Sequence, residues 1–412
     1  MTVFFDSRWV DRPAHVTELG GSALPAGFRA AGVAAGLKPS GDRDVGLLVC
    51  DVQEATSAAR FTASGVLAVP VVVCRERCRL DALRAVAVNA GNANAATGGR
   101  GMDAAAKMQG AGAKVSGVPE DQVAIASTGV IGVQLDADKV VEGLLAAQER
   151  LGPDADAFAA AIRTTDAFPK QASLEVALAS GTVRLSAQCK GAGMIQPSFA
   201  TLLCFVQTDA ALSGETADLL LGVCVKRSFD RVTVDGQLST NDTAILMASG
   251  ASGVRVEPQT EDEGRFGEAL DALLRQLALM IVRDGEGAKR VGRVVVTGGD
   301  QGAVDRAARA VANSPLVKAA LHGGDPNWGR IAQAVGGALP GSAPLAVDIA
   351  IEAVQVCAGG TAIAYDAAAL AGAVAGPEVE YAVGLPGEGA DAEVFFSDLS
   401  HEYVTINADY TT

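Results

Sequence analysis

The chain has 412 residues, more than one hydrophobic core usually serves, so two packed subdomains or two halves of a large layered domain are expected. Its formal net charge of -15 opposes nucleic-acid binding, because contact with phosphates needs a basic surface. No apolar run approaches the roughly 20 residues of a membrane helix, and the first residues lack the apolar core of a signal peptide. We therefore expect a cytoplasmic protein that acts on small molecules, with no nucleic-acid or membrane partner.

The first half alternates predicted strands with predicted helices. Core strands are predicted in four places: 44–49, 67–73, 85–88 and 123–126. An Asn- and Gly-rich loop at 89–101 leads into a helix at 102–115, and the turn STGVIG at 127–132 leads into a helix at 137–150. Asp136 is the expected N-cap of the second helix. Because ligands bind at strand ends in open α/β sheets, the two loops are candidate site elements.

The second half opens with a predicted hairpin and an unusual loop. The hairpin covers 173–187 and turns at Ser180 and Gly181, and a loop of small and turn-forming residues follows at 190–198. An apolar strand is predicted at 202–206, which places Thr201 at a junction between loop and strand. Further helices are predicted at 215–229, 242–249, 263–282 and 301–312, and a further strand at 293–296. The whole pattern favours an α/β fold, a layered sandwich of mixed sheets and helices in two subdomains.

The seven cysteines are scattered and mostly lie in apolar runs, so we expect buried thiols. Cys74 and Cys78 could begin a metal site, but no second Cys/His pair follows at metal-ligand spacing, so we predict no metal. The histidines, His15, His322 and His401, lie outside the polar motifs, which disfavours a Ser-His-Asp arrangement.

The chemistry of Thr201 depends on whether the chain is cut before it. A threonine hydroxyl is a poor nucleophile at neutral pH and needs an adjacent base. If the peptide bond between Ala200 and Thr201 is cleaved, the new α-amino group lies beside the hydroxyl and can serve as that base. A threonine that merely opens a strand is the alternative, since β-branched residues favour strands.

The segment KGAGMIQPSFATLL at 190–203 resembles the cleavage signature of the ornithine acetyltransferase family, the self-processing enzymes of cyclic arginine biosynthesis. Two departures from the family pattern, at 188–189 and 198–199, remove no reacting group. Further blocks follow in family order: GFRAAGVAAGLKPSG near residue 30, NAGNANAATG at 89–98, ASTGVIG at 126–132, TTD at 164–166, STNDTA at 239–244, DGEGA at 284–288, DPNWGRIA at 325–332 and INADYTT at 406–412. The resemblance implies an α chain of residues 1–200, carrying the oxyanion hole and Lys190, and a β chain of 201–412 that begins with Thr201.

The resemblance also implies a role for individual residues. Thr201 is the nucleophile, cleavage falls between Ala200 and Thr201, and Thr128 and Gly129 form the oxyanion hole. Losing one oxyanion donor typically costs roughly 10² to 10³ in rate. The implied substrate-binding residues are Thr164 or Thr165, Lys190, Thr201, Glu286, Asn407 and Thr412. Lys190 suits a carboxylate, and Glu286 suits the cationic ω-amino group of ornithine.

The implied reaction is a two-step transfer without metal or organic cofactor. Thr201 takes the acetyl group from N2-acetyl-L-ornithine and passes it to L-glutamate, and acetyl-CoA is left open as an additional donor. The family also implies a heterotetramer of two α and two β chains or a larger oligomer of processed protomers. Two alternatives stay open: a secondary-metabolism relative that transfers or hydrolyses another acyl group, and an inactive binding module that retains the fold.

Overall fold

The computed structural model describes residues 3–196 and 202–409 as a layered arrangement of three sheets and their helices. The strands are β1 (Val16–Glu18), β2 (Phe28–Val33), β3 (Val45–Cys50), β4 (Thr56–Phe61), β5 (Ala85–Asn92), β6 (Val123–Val130), β7 (Lys170–Leu178), β8 (Gly181–Lys190), β9 (Leu203–Thr208), β10 (Val232–Thr233), β11 (Thr243–Ala248), β12 (Val291–Thr297), β13 (Asp348–Ile351), β14 (Val354–Ala358), β15 (Thr361–Ala362), β16 (Glu378–Gly384) and β17 (Asp391–Ser397).

The helices pack against these sheets or against one another. They are α1 (Val69–Arg77), α2 (Gly98–Ser116), α3 (Ala137–Gln148), α4 (Asp156–Ala161), α5 (Gly214–Arg227), α6 (Glu261–Asp284), α7 (Gln301–Asn313), α8 (Pro315–Gly323), α9 (Trp328–Ala338), α10 (Ala367–Ala373) and α11 (His401–Asp409). Across the described ranges, no helix is long and apolar enough to span a bilayer.

The main body is a four-layer sandwich. A six-stranded sheet in the order β1-β7-β8-β9-β11-β4 packs on one face against α5 and α6. A four-stranded sheet in the order β2-β3-β5-β6 lies on the other side, with α4 between the sheets and α2 and α3 on the outside. The six-stranded sheet, called the central sheet below, is therefore buried on both faces. Strands in such a position are usually apolar along their whole length.

Strand β9 illustrates how one sequence serves both interfaces. Cys204 and Val206 contribute to the core beneath α5 and α6, whereas Leu203 and Phe205 contribute to the core shared with the smaller sheet. Successive side chains of a strand point to opposite faces, so an apolar run fills both cores at once. The fold class predicted from the sequence, a layered α/β sandwich, is confirmed.

The second subdomain is built on a seven-stranded sheet in the order β10-β17-β12-β16-β13-β14-β15. Helix α7 packs on β12 and β17, and α9 packs on α7 and β13, enclosing a separate apolar core. Helix α6 touches both β7 and β17 and so joins the two subdomains.

Capping residues explain where several helices begin. Asp136 accepts a hydrogen bond from the backbone N–H of Lys139, as predicted, and Thr260 accepts one from Glu263 at the start of α6. Each satisfies a backbone donor that the first helical turn leaves unpaired. The hairpin predicted around Ser180 and Gly181 is also present, as β7 and β8.

Two element predictions are wrong, both in apolar runs. Residues 67–73 were predicted as a strand, but Val69–Arg77 is the helix α1, with Pro70 in its first turn. Proline suits that position because its missing N–H has no helical partner there. Residues 242–249 were predicted as a helix, but Thr243–Ala248 is β11, paired with β9 and β4 inside the central sheet.

Two predicted loops are partly strand. Strand β5 continues to Asn92 and β6 continues to Val130, so the first residues of both polar blocks belong to the sheet. The two strands are parallel and their pairing shifts register at Gly91 and Asn92. Such an irregularity bends a strand end and redirects its side chains.

Candidate active site

A cavity of about 180 Å³ brings together segments that are far apart in sequence. Its lining includes every predicted site residue within the described ranges: Thr128, Gly129, Thr164, Thr165, Lys190, Glu286 and Asn407. The predicted nucleophile Thr201, its neighbour Ala200 and the terminal Thr412 lie outside the described residues.

The pair Thr128 and Gly129 closes strand β6 at the cavity. Gly129 has φ +133°, and a Cβ built there would lie 2.3 Å from the carbonyl carbon of Gly91 on the neighbouring strand. No side chain fits at that separation, so the close approach of β5 and β6 requires glycine. The Thr128 hydroxyl and the turn after it therefore form a rigid, polar wall of the cavity.

Lys190 ends β8 and brings a positive charge to this wall. Its residue is 3% exposed, and its Nζ lies 3.3 Å from Thr128 Oγ1 and 4.0 Å from Asp166 Oδ2. The ammonium group therefore stands beside the hydroxyl predicted to stabilise an oxyanion, with a carboxylate at longer range. A buried ammonium arranged in this way can bind the carboxylate of a ligand.

Glu286 supplies a negative charge to the same cavity. Thr165 Oγ1 donates to its Oε1 at 2.8 Å, and Asn407 Nδ2 donates to its Oε2 at 2.6 Å. Gly193 leaves the necessary room, because a Cβ at that position would lie 2.5 Å from the carboxyl carbon of Glu286. Two donors fix the carboxylate in one orientation, ready to receive a cationic group.

The two candidate threonines have different partners. The hydroxyl of Thr165 donates to Glu286, whereas the backbone N–H of Thr164 donates to Asp166 Oδ2 at 3.1 Å. Both residues line the cavity. Thr165 thus helps to orient a predicted substrate-binding group, and Thr164 connects the cavity to the buried carboxylate beneath it.

The structure adds Asp235, a cavity residue that the sequence reasoning missed. Its carboxylate accepts the backbone N–H groups of Met194 and Ile195 at 2.6 and 3.0 Å, and it lies 3.4 Å from the Tyr403 hydroxyl. Burial raises the pKa of Asp235, which the backbone hydrogen bonds partly offset. Its position after β10 resembles an ordinary turn, so nothing local distinguishes it.

The block STNDTA was noticed in the sequence without a role, and two of its residues support the cavity. Asn241 Nδ2 donates to the carbonyls of Ala93 and Ser127 at 2.7 and 2.8 Å and so links the residue after β5 to β6. Asp242 Oδ1 accepts the backbone N–H of Leu202, the residue after the predicted nucleophile, at 3.0 Å. Complete burial raises the pKa of Asp242 well above its usual range.

Two other blocks make mainly structural contacts in the parts described. In NAGNANAATG, Asn89, Asn92 and Asn94 bond to nearby backbone carbonyls and to one another, and only Ala93 lines the cavity. In DPNWGR, Asn327 caps α9 by accepting the N–H of Arg330 and is not among the cavity residues.

The last described helix, α11, returns to the cavity. Tyr403 and Asn407 are among the lining residues, although no residue of the helix is fully buried. The hydroxyl of Tyr403 lies 3.4 Å from Asp235 Oδ2, and Asn407 donates to Glu286 at 2.6 Å, so both side chains reach polar groups of the cavity.

Comparison with known proteins identifies the family. A model of the ArgJ family matches residues 29–412. The arginine biosynthesis bifunctional protein ArgJ of Symbiobacterium thermophilum is 42% identical, with 95% of this chain and 99% of that protein covered. The protein of the same name from Nitratidesulfovibrio vulgaris is 44% identical, with 94% and 99% covered.

Among solved structures, ornithine acetyltransferase of Mycobacterium tuberculosis complexed with ornithine is 36% identical over 44% of this chain and 98% of that chain, with a TM-score of 0.41. The two relatives match over 95% and 94% of this chain, and the family model covers residues 29–412. The resemblance first seen in the motifs is thereby confirmed, and the chain belongs to the ArgJ family.

Proposed function

We propose that this acyltransferase of the ArgJ family moves the acetyl group of N2-acetyl-L-ornithine to L-glutamate, forming N-acetylglutamate and releasing ornithine. The observation that carries the proposal is the cavity itself. Within about 180 Å³ it combines the ammonium of Lys190, the carboxylate of Glu286 and the Thr128–Gly129 segment proposed to stabilise an oxyanion. An acetylated amino acid with an α-carboxylate and a cationic amine presents groups complementary to all three. The relatives named for arginine biosynthesis support the same substrates.

The first half-reaction forms a covalent intermediate. The hydroxyl oxygen of Thr201 attacks the acetyl carbonyl carbon while the α-amino group of the same residue takes the hydroxyl proton. Thr128 Oγ and the backbone N–H of Gly129 donate to the developing oxyanion. When the intermediate collapses, the C–N bond breaks, the proton passes to the leaving amine, and ornithine departs from an acetyl-Thr201 ester.

The second half-reaction reverses these steps with a new amine. The amino group of glutamate attacks the ester carbonyl, the Thr201 amino group accepts its proton, and the threonine oxygen leaves as the hydroxyl. Lys190 holds the substrate carboxylate, and Glu286, oriented by Thr165 and Asn407, receives the ω-amino group of ornithine. Thr412 is proposed as a further substrate contact. Acetyl-CoA stays open as a second donor.

The reactive form requires cleavage of the bond between Ala200 and Thr201, which yields an α chain of 1–200 and a β chain of 201–412. The family implies an assembly of two α and two β chains or a larger oligomer, and the sequence favours the cytoplasm. A relative that moves another acyl group is the alternative chemistry. We favour acetyl transfer because the related proteins carry the arginine-biosynthesis name.

Substitution of the nucleophile tests the proposal. Thr201→Ala should leave the chain uncut and inactive, whereas Thr201→Ser should retain part of both cleavage and transfer, since a serine hydroxyl can replace that of threonine. Intact mass spectrometry of the processed wild type after incubation with acetylornithine should find one acetyl group on the C-terminal fragment.

Three results would count against it. Cleavage that persists in Thr201→Ala would assign the cut to another group. Release of acetate without acetylation of glutamate would indicate a hydrolase. A single uncut wild-type band near 41.6 kDa on denaturing electrophoresis would favour the inactive binding module.

A further inference from the structure

A row of four buried charges runs inward from the cavity, and the proposed mechanism uses only the first of them. In order, it consists of the ammonium of Lys190, the carboxylate of Asp166, the ammonium of Lys170 and the carboxylate of Asp284. Lys170 Nζ lies 2.8 Å from Asp166 and 2.5 Å from Asp284, and the side chains of Asp166 and Lys170 are fully buried. Charges this deep persist only when they are paired.

Asp166 is the link between this row and the cavity. Its Oδ1 accepts Lys170 and the backbone N–H of Gly191, the residue after Lys190, at 2.8 Å each. Its Oδ2 accepts the N–H of Thr164 at 3.1 Å and lies 4.0 Å from Lys190 Nζ. Burial alone would raise the pKa of Asp166, but the charges of Lys170 and Lys190 reverse this and hold it well below its usual range.

The two lysines differ in how completely they are paired. Lys170 is saturated by two carboxylates at short distance, and they raise its pKa although burial opposes this. Among the residues that the structure describes, Lys190 has one carboxylate at 4.0 Å and one hydroxyl at 3.3 Å, and it lines the cavity. Asp166 therefore attracts the Lys190 ammonium on the side away from the cavity, and the same ammonium can still bind a second anion on the cavity side.

Asp284 extends the row toward the other charged group of the cavity. Both of its carboxylate oxygens accept the N–H of Ala167 at 3.1 Å, and it ends helix α6 two residues before Glu286. The segment 164–167 is thus tied to Lys190 through Asp166 and to the Glu286 turn through Asp284.

We infer that Asp166 is a positioning residue for substrate. It holds the Lys190 ammonium beside Thr128, so that one side of the ammonium is free to bind the α-carboxylate of the amino-acid substrate. The inference rests on the proposed function, since it takes acetylornithine as the ligand. It assigns the selection of an α-carboxylate to the pair Asp166 and Lys190 rather than to Lys190 alone.

The test compares acetylornithine with its α-carboxamide, which lacks the carboxylate that Lys190 would hold. The processed wild type should have a kcat/KM about tenfold or more higher for acetylornithine, the acid, than for the carboxamide, the amide. With the amide bound, the buried ammonium of Lys190 lacks its anionic partner, which is costly. Asp166→Asn should lose most of this preference through a higher KM for the acid, while kcat/KM for the amide changes little. If Asp166 had only a structural role, the substitution would lower kcat/KM for both substrates by the same factor.

Matched variants separate a positioning role of Asp166 from a purely structural one. Asp209→Asn removes another buried carboxylate, one that accepts the N–H of Arg184 at 2.7 Å beyond the far end of β9, and should keep the acid preference. Lys190→Met should lose it, and adding Asp166→Asn to Lys190→Met should change it no further, because both substitutions act on one interaction.

An acid preference in Asp166→Asn equal to that of the wild type would overturn the inference. Absence of acetyl transfer by the wild type would refute the proposed function instead, so the two failures are distinguishable. If circular dichroism shows that Asp166→Asn does not fold, Asp166→Glu carries the test, since it keeps the charge and moves it by one methylene. A partial loss of acid preference is then expected, and an unchanged preference would contradict the inference.

Discussion

Three residues that line the cavity, Gly129, Met194 and Glu286, have backbone conformations that most L residues rarely adopt. Gly129 has φ +133° and Glu286 has φ +48°. The first permits the close approach of two strands, and the second turns a carboxylate into the cavity, where Thr165 and Asn407 hold it. For a residue with a side chain, such as Glu286, this conformation costs about 1–3 kcal/mol and persists where the surroundings enforce it, commonly at functional sites.

Gly129→Ala should therefore damage both the fold and the reaction. The new Cβ would meet the Gly91 backbone at 2.3 Å, so β5 and β6 must separate and the oxyanion donors must move. We expect a fall in kcat of about 10² or more, as for loss of an oxyanion donor, and a lower Tm. Steady-state kinetics and thermal unfolding measure the two effects.

Gly132→Ala is the matched control. Gly132 also has a positive φ, +81°, but a Cβ there would meet nothing within 4 Å. It should lose about 1 kcal/mol of stability from the backbone conformation alone and keep its kcat. Equal damage from both substitutions would contradict the steric explanation.

Helix α8 shows how an element outside the cavity supports it. Lys318 on this helix donates to the carbonyl of Ser397 and, at 3.0 Å, to its hydroxyl, and His322 Nδ1 lies 2.7 Å from Asp398 Oδ2. Asp398 in turn accepts the N–H of Lys289 at 2.9 Å, three residues after Glu286. The helix thus anchors the end of β17 and one side of the Glu286 turn.

The buried ammonium of Lys318 predicts a dependence of stability on pH. Burial lowers its pKa to about 8, against the attraction of Asp398 and Asp235, whereas the unfolded chain retains the usual value near 10.5. Between these values the unfolded state binds more protons than the folded state, so stability rises with pH. Relative to Lys318→Met, the wild type should gain up to about 3 kcal/mol between pH 7 and pH 11.

The measurement is the difference in Tm between wild type and Lys318→Met at several pH values. The difference should shift in favour of the wild type as the pH rises through 8 and should level off above about 10.5. A difference that does not change with pH, or that shifts toward the variant, would contradict the assignment.

At the scale of the whole molecule, the proposed cleavage position and the domain structure do not coincide. The six-stranded sheet contains β1, β4, β7 and β8 from residues before 201 and β9 and β11 from residues after it. Strands β8 and β9 pair directly, from Leu185 with Thr208 to Lys190 with Leu203. The proposed α and β chains therefore share one sheet and one core rather than forming separate domains.

The two fragments should consequently remain associated after cleavage. On native size exclusion they should elute together at 41.6 kDa or a multiple of it, and denaturing electrophoresis of the same fraction should separate them. Each fragment expressed alone should be insoluble or unfolded, because it would expose strand edges that are paired in the complete six-stranded sheet. Separation under native conditions would contradict the shared sheet.

Local patterns were sufficient for much of this protein. The caps of α3, the β7–β8 hairpin and the amphipathic helices α5 to α7 follow from signals within a few residues. The motif blocks also identified Thr128, Lys190, Glu286 and Asn407, which the structure gathers in one cavity. These roles came from the family resemblance of the blocks, because each residue taken alone also fits an ordinary structural position.

Only the tertiary structure decided which apolar runs are strands and how the charges of the site are balanced. Strand β11 is buried on both faces and α1 is largely buried, so neither displays the alternation or period that would reveal its type. Asp166 and Asp284 are 118 positions apart in the sequence and meet at Lys170 only in the folded chain. The sequence by itself determined which groups could react, whereas their positions depend on long-range burial, which has no local signature.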